Sequence, residues 1–218
     1  MIKDDIIVYL QENRVSATEV ADAMYKTGAV DNVQAVNRGH FCVGPVRWIY
    51  AWNGSNWDVH NQIQNVKKGE VVFIECFDCG NKAIFGDLVS KYLILYKQAA
   101  AVVVQGNLRD IPRLIKENWP IWCSGFTPIG CVNSQPEKPM DKMIIQQRTE
   151  QYQDAIAVCD DSGVVIIPKE KINEDFYKRL EFIEEQEDIW YECIDRKKWT
   201  TFDTICLKKY LNEDIKSV

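Results

Sequence analysis

Histidine is nearly absent from this chain: among 218 residues only His40 and His60 carry an imidazole. Neither stands at metal-ligand spacing from the single C-x-x-C, Cys76-Phe77-Asp78-Cys79, and no second such pair exists. A structural zinc centre needs a second pair or nearby histidines, so the sequence disfavours one. A redox C-x-x-C normally opens a helix after a strand; here Gly80-Asn81 follows and reads as a turn, so that reading is weak too. Long apolar runs are missing as well. None approaches the ~20 residues that cross a bilayer. Met1-Ile2-Lys3-Asp4-Asp5 has no basic stretch leading into an apolar one, so no secretory signal is read and the expected compartment is the cytoplasm, with no membrane partner. Positive charge is in deficit: 26 Lys and Arg against 32 Asp and Glu leave a formal net charge of −6, so nucleic acid is not an expected partner. There is no glycine-rich loop of the G-x-G-x-x-G kind to support methyl transfer, no internal repeat and no low-complexity segment.

What remains is an ordinary globular composition, 46% hydrophobic and 27% charged, in a chain long enough to bury a core without staples. The eight cysteines are scattered, several in apolar strand-like runs where reduced thiols behave as small hydrophobes.

Periodicity predicts a first helix over residues 2–13, with Ile6, Ile7 and Leu10 as its stripe. Ser16-Ala17-Thr18-Glu19 is a capping-box pattern, opening a helix over 18–27 that stops at Gly28. Residues 41–50 read as strand material interrupted by Gly44-Pro45, and 57–65 as a short helix. A buried strand is predicted over 71–76, a helix over 87–98, a strand over 101–105 and a helix from Asp110-Ile111-Pro112 to about Asn118, with Pro near its first position. A short strand follows over 120–123, and 127–139 is loop-rich. The runs 155–159 and 164–168 flank Asp160-Asp161-Ser162-Gly163 as a β-hairpin, which makes the two acids turn residues rather than a catalytic pair. Residues 174–186 form a charged helix with Phe176, Leu180 and Ile183 inward; its acids Glu181, Glu184, Glu185, Glu187 and Asp188 read as a solvated face. Residues 199–211 carry apolar residues at helical spacing. Strands mixed with short helices imply α/β or α+β layers.

The richest stretch runs from Gly86 to Asp110. Gly86-Asp87-Leu88 opens a helix, whose free N–H groups can receive an anion. One α–β unit later, Gln105-Gly106-Asn107-Leu108-Arg109-Asp110 sets a cation beside an anion on a strand-terminal loop. Such a pair can hold a carboxylate with one residue and a divalent metal with the other. The bland alternatives are helix N-caps at Gly86-Asp87 and Asp110, and an ion pair at Arg109. His60 is either an acid–base group or an exposed helix residue. Asp22 has no assigned chemistry. The aromatic segment Trp48, Tyr50, Trp52 and Trp57 is either core and loop anchoring or a modified pocket wall.

Four blocks in order resemble the RraA-like family, which includes regulators of ribonuclease E activity and class II aldolases of 4-hydroxy-4-methyl-2-oxoglutarate. They are the segment from Ser16 to Met24 ending at Gly28, Gly69-Glu70-Val71-Val72 with Gly86-Asp87-Leu88, the run from Val102 to Asp110, and the hairpin from Asp160 to Pro168. The resemblance implies an α/β chain of the β/β/α swivelling-domain fold with additional N- and C-terminal helices. It implies a single domain over 1–218, its core over about 16–170 and a C-terminal helical extension over about 171–218. It further implies a homotrimer or a hexamer of two trimers, with sites between subunits and an acid borrowed from a neighbour's C-terminal region. The implied activity is that of a divalent-metal-dependent lyase on a 2-oxo acid, by aldol cleavage or oxaloacetate-type decarboxylation through a pyruvate enolate. Mg2+ or Mn2+ would be held by Asp110, Arg109 would face the enolate oxygen, and Gly86, Asp87 and Leu88, with Arg109, would receive substrate. Two departures stand out. Arg113 occupies a position where the family usually has Asp or Glu, and Gly86 to Arg109 lies at the long edge of the family's spacing. These departures keep a second expectation open, a non-catalytic regulator that contacts a ribonuclease-like protein. The Trp-rich segment keeps open a third, a diverged enzyme on a sugar acid or natural product.

Overall fold

A computed structural model describes residues 2–212; the last residues of the expected C-terminal extension lie outside the described residues. In chain order the elements are α1 (Ile2–Glu12), α2 (Ala17–Ala23), β1 (Gln34–Ala35), β2 (Cys42–Trp52), α3 (Trp57–Gln62), β3 (Val71–Phe77), α4 (Asp87–Lys91), β4 (Ala101–Leu108), α5 (Ile111–Glu117), β5 (Ile121–Phe126), α6 (Lys142–Tyr152), β6 (Ile156–Asp160), β7 (Gly163–Ile167) and α7 (Glu174–Asp195). The strands join in the order β1-β5-β4-β3-β2-β6-β7.

The centre is parallel: β2, β3, β4 and β5 pair side by side in one direction. Strands of that kind are covered on both faces and read as continuous apolar runs, as β3 and β4 do. Side chains alternate between faces along a strand. Val72, Ile74, Val102 and Val104 therefore pack with α3, α4 and α5, through residues such as Val59, Val89 and Leu114. Val71, Phe73, Ala101 and Val103 face the opposite way, onto Ala157, Cys159, Val164 and Ile166 of the β6–β7 hairpin. The hairpin's other face, Ile156, Val158, Val165 and Ile167, is closed by α1, α2 and α7. The result is helices, sheet, hairpin layer and helices again. This is the expected α/β class, with the terminal helices forming the outermost layer.

The hairpin turn and the capping box follow the sequence. Asp160 Oδ1 accepts from Ser162 N–H at 2.7 Å and its Oδ2 from Ala17 N–H at 2.7 Å, so this acid closes the turn and ties it to α2. Ser16 Oγ accepts from Glu19 N–H at 3.1 Å, and Glu19 reaches back to Ser16 N–H at 2.6 Å.

Several elements differ from the sequence reading. β2 is not interrupted by Gly44-Pro45. The strand changes partners there: Cys42 to Pro45 pair antiparallel with β6, and Val46 to Trp52 pair parallel with β3. A proline without an N–H fits a position where one ladder gives way to the next. Helix α2 ends at Ala23 rather than at 27, because Tyr25 and Lys26 turn left-handed at φ 63° and 61°. Gly28 instead serves a close approach, at φ +89°, where a Cβ would stand 2.4 Å from Met24 Cε and 2.9 Å from Ile166 O. The segment expected as one helix over 87–98 is α4 followed by a π-turn over Tyr92–Tyr96. Helix α7 runs on to Asp195, past the expected 186. Its acids are not all solvated: Glu184 accepts from Tyr9 OH, and burial raises Glu184 and Glu187. Two elements are not among those predicted from the sequence, β1 and α6, although Asp141 caps α6 by accepting from Met143 N–H at 2.8 Å. Among the described residues no helix is long and apolar enough to cross a membrane.

Candidate functional site

The end of β4 carries Leu108 into Arg109 and Asp110, and α5 begins at Ile111. A second segment, Ala83 to Gly86, runs beside it. Ile84 N–H donates to Asn107 O at 2.9 Å and Arg109 N–H to Phe85 O at 3.1 Å. These two backbone bonds place the Gly86 turn against the Arg109-Asp110 loop despite their long separation in sequence. On the other side, Ala83 pairs with Ile129 and Cys131 through bonds of 2.8 and 2.9 Å. The three segments enclose a cleft of about 190 Å3, whose walls include Asn56, His60, Gly86 to Val89, Arg109, Asp110, Gly130 and Cys131.

All the residues expected from sequence reach this cleft: Gly86, Asp87, Leu88, Arg109 and Asp110. Asp110 is the first residue of the α5 entry, but its side chain does not cap the helix. Its backbone is left-handed, φ 60° and ψ 32°, a conformation that Asp tolerates better than most residues. That twist turns the carboxylate toward α4, where Oδ2 lies 3.4 Å from Asp87 N and 3.5 Å from Arg109 Nε. Gly86 makes room for it: a Cβ there would stand 1.9 Å from Asp110 Oδ2 and 3.0 Å from Arg109 Cγ. Gly130 does the same for the guanidinium, since its Cβ would meet Arg109 Nη1 at 2.7 Å. Arg109 and Asp110 remain about half exposed, with side-chain accessibilities of 49% and 41%.

Arg113 is not part of the cleft. It pairs with Glu117 one turn on at 2.8 Å, along α5. His60 is exposed on α3 and stands at the cleft's edge. The aromatic segment does not form the cleft wall. Trp48 Nε1 donates to Glu75 at 2.7 Å and Trp52 Nε1 to Lys138 O at 2.8 Å, which is the anchoring reading. Asp22 pairs with Lys26 at 2.7 Å, away from the cleft.

Asn56 was not singled out from the sequence. It is 7% exposed and donates from Nδ2 to Ile84 O at 3.0 Å, while Oδ1 is buried without a partner. A buried acceptor left unsatisfied costs about 1–3 kcal/mol, and this one belongs to a residue of the cleft wall. The only signal in the sequence is a polar residue just before the 57–65 helix, indistinguishable there from an N-cap.

Among the described residues no group of three or more His, Cys, Asp or Glu side chains converges as a metal cage. Asp110, about half exposed in a cleft that Asp87 also lines, is still a fitting donor for Mg2+, which keeps several waters and takes one or two carboxylates plus substrate oxygens. It is not a zinc donor set.

Comparison with known proteins identifies the family and the fold. The RraA-like family model, described as Aldolase/RraA, matches residues 17–166. A relative from Halalkalibacterium halodurans, provisionally named 4-hydroxy-4-methyl-2-oxoglutarate aldolase, is 27% identical over 187 residues, covering 78% of this chain and 80% of that one. An uncharacterized Pseudomonas syringae protein superposes with a TM-score of 0.68 at 19% identity, covering 92% of this chain and 96% of its own. Streptomyces coelicolor RraAS2, described as an unusual member of the RNase ES inhibitor RraA family, superposes with a TM-score of 0.64 at 23% identity, covering 84% and 95%. These last two likenesses are of fold.

Proposed function

The chain belongs to the RraA-like family, and from that premise we propose that it is a divalent-metal-dependent lyase acting on a 2-oxo acid. The observation that carries the reading is the Arg109-Asp110 pair held against the Gly86 turn, with each glycine of the cleft leaving space for one of the two charges. The N–H groups at the start of α4 receive the substrate carboxylate. Arg109 sets a fixed cation where an enolate oxygen develops, the kind of preorganised charge that does most for such a step. Asp110 would hold a divalent ion, which would supply Lewis acidity at the keto group. Mg2+ or Mn2+ suits oxygen donors of this kind. Carbon–carbon cleavage, by retro-aldol reaction or loss of CO2, leaves the electron pair of the broken bond on a pyruvate enolate facing Arg109, and a proton from solvent at its carbon gives pyruvate. A cytoplasmic homotrimer or hexamer is the assembly this reading carries with it.

The test is pyruvate release, coupled to lactate dehydrogenase, from 4-hydroxy-4-methyl-2-oxoglutarate and from oxaloacetate, with Mg2+, with Mn2+ and with chelator. Metal-dependent release that disappears in Asp110→Ala is the expected outcome. Release unaffected by chelator and by the substitution would remove Asp110 and the ion from the chemistry.

One observation favours a second reading, a regulator on the same scaffold that binds a ribonuclease-like protein without turnover. Arg113 supplies a cation on α5 where the resemblance expects an acid, and its bond to Glu117 keeps it out of the cleft. A folded assembly that releases no pyruvate from either acid, yet is retained by a ribonuclease, would favour it.

A further inference from the structure

A second cavity, of about 440 Å3, lies on the hairpin side of the parallel strands and shares no residue with the cleft. Strand parity sets its floor. Phe73 and Glu75 project to one face of β3, and Ile166 of β7 closes the floor from the hairpin. Gln105, the register partner of Glu75 on β4, stands beside it. The remaining wall includes Arg148, Gln151 and Tyr152 from α6 and Lys171 from the segment after β7.

Helix α6 has no buried residue. Helices in globular proteins are held chiefly by packing an apolar face, and this one has none to pack. Its last two turns instead bring polar and aromatic side chains to the cavity. Tyr152 meets Phe73 edge-on at 5.1 Å, and Arg148 Nε lies 3.5 Å from Glu75 Oε2. Glu75 is 6% exposed, and the same oxygen accepts from Trp48 Nε1 at 2.7 Å. Arg148 Nη1 donates to Gln151 Oε1 at 2.7 Å. The guanidinium is thus held on two sides. Among the described residues, Arg148 Nη2, Gln151 Nε2 and Lys171 Nζ have no hydrogen-bond partner. All three are donors, and two belong to cations. The acids Asp31 and Glu170 also line the cavity but are exposed, whereas Arg148 and Lys171 are half-buried. A guanidinium fixed by its neighbours, with an edge still open, suits a planar carboxylate. The floor of Phe73, Tyr152 and Ile166 suits an apolar body, in the manner of small-molecule sites with an apolar lining and a few placed polar groups.

We propose that this cavity binds a small carboxylic acid with an apolar body, its carboxylate on Arg148, Gln151 and Lys171 and its body over Phe73 and Tyr152. The site is one of binding and rests on nothing proposed for the cleft.

The experiment titrates the full chain by calorimetry with phenylacetate, with its neutral amide phenylacetamide and with the cation phenethylamine. Phenylacetate should bind once per chain, the amide about tenfold more weakly, as expected when a charge-assisted hydrogen bond is lost, and the amine not at all. Arg148→Met keeps much of the side chain's bulk and removes its charge, and should weaken phenylacetate by about the same factor. Lys171→Met, on a different segment, should weaken it too, which keeps the test decisive if the Arg148 variant shifts α6. Thermal melts confirm that each variant is folded. Arg109→Ala, in the cleft, should leave phenylacetate binding unchanged. No binding of millimolar phenylacetate, or an amine that binds more tightly than the acid, would overturn the proposal. So would binding that is lost in Arg109→Ala and kept in both methionine variants, since the acid would then sit in the cleft. No arm measures pyruvate release, so a failure here is distinct from a failure of the lyase reading.

Discussion

At the scale of single residues, the cleft is shaped by what is missing as much as by what is present. Gly86 has a negative φ, −137° with ψ −141°, so it is not a left-handed position that calls for glycine. The constraint is therefore steric: its absent Cβ is the space occupied by Asp110 Oδ2. Gly86→Ala should leave the fold intact and displace the carboxylate by roughly an ångström, a misplacement that typically costs about a hundredfold in turnover. Steady-state kinetics with a thermal melt as control checks it, and turnover within threefold of wild type would refute it. Asp110→Asn is the complementary change. Asn tolerates the left-handed backbone as Asp does, so the loop should keep its shape and lose only its anion. A ligand at about a hundred times its Kd stabilises the native state by ~2.7 kcal/mol. Mg2+ or Mn2+ should accordingly raise the melting temperature of the wild type and not that of the variant. Equal shifts in both would mean that the ion binds elsewhere. Arg109→Ala, at a side chain half in solvent, should lower turnover by about 10²- to 10³-fold with little change in stability.

At the scale of elements, the parts legible in the sequence are those whose cause is local. The capping box, the hairpin turn and the apolar runs of β3 and β4 state their structure within a few residues. The Gly86 and Arg109-Asp110 loops were legible as a candidate site because glycine and a cation–anion pair sit at element ends. Elements fixed by distant contacts were not legible. Helix α6 has no apolar stripe and no buried residue. It is held by its far end, where Tyr152 stacks on Trp48 at 6.5 Å and meets Phe73 edge-on at 5.1 Å, and where Arg148 Nε reaches Glu75 at 3.5 Å. Asn56 was equally silent, because an unpaired amide oxygen exists only once Ile84 has taken the amide nitrogen.

Glu75 gives this element a testable pH dependence. Its carboxyl is raised by burial, against the hydrogen bond from Trp48 and the charge of Arg148. A carboxyl raised in the folded state binds its proton more tightly there than in the unfolded chain. Its stabilisation is complete below the unfolded value and is lost as pH rises through the folded one. Glu75→Gln should therefore flatten the decline in stability on going from about pH 4 to about pH 7. Glu184 and Glu187, raised as well, contribute the same sign in both proteins, so the difference between the two urea-denaturation series isolates Glu75. A parallel pair of series would show that Glu75 titrates alike in folded and unfolded chains.

At the scale of the whole molecule, the cleft region carries apolar surface without cover. Leu88 is 78% exposed, Ile129 64% and Phe126 57%, on or beside the segments that build the cleft. Exposed large apolar side chains on neighbouring segments are what an interaction surface presents. The family resemblance expects a second copy of the chain there, in a trimer whose sites lie between subunits. Sedimentation should accordingly give a three-chain species or its dimer. The double variant Phe126→Asp/Ile129→Asp should shift it toward the single chain, because two carboxylates would have to be desolvated in the interface. Neither residue belongs to the proposed chemistry, so turnover measured on the same samples separates two arrangements. Activity that falls in step with the assembled fraction, and returns when concentration drives reassembly, requires a neighbour's contribution to complete each cleft. Activity that persists in the single chain would mean that Arg109, Asp110 and the Gly86 turn suffice, and that the apolar surface serves assembly alone.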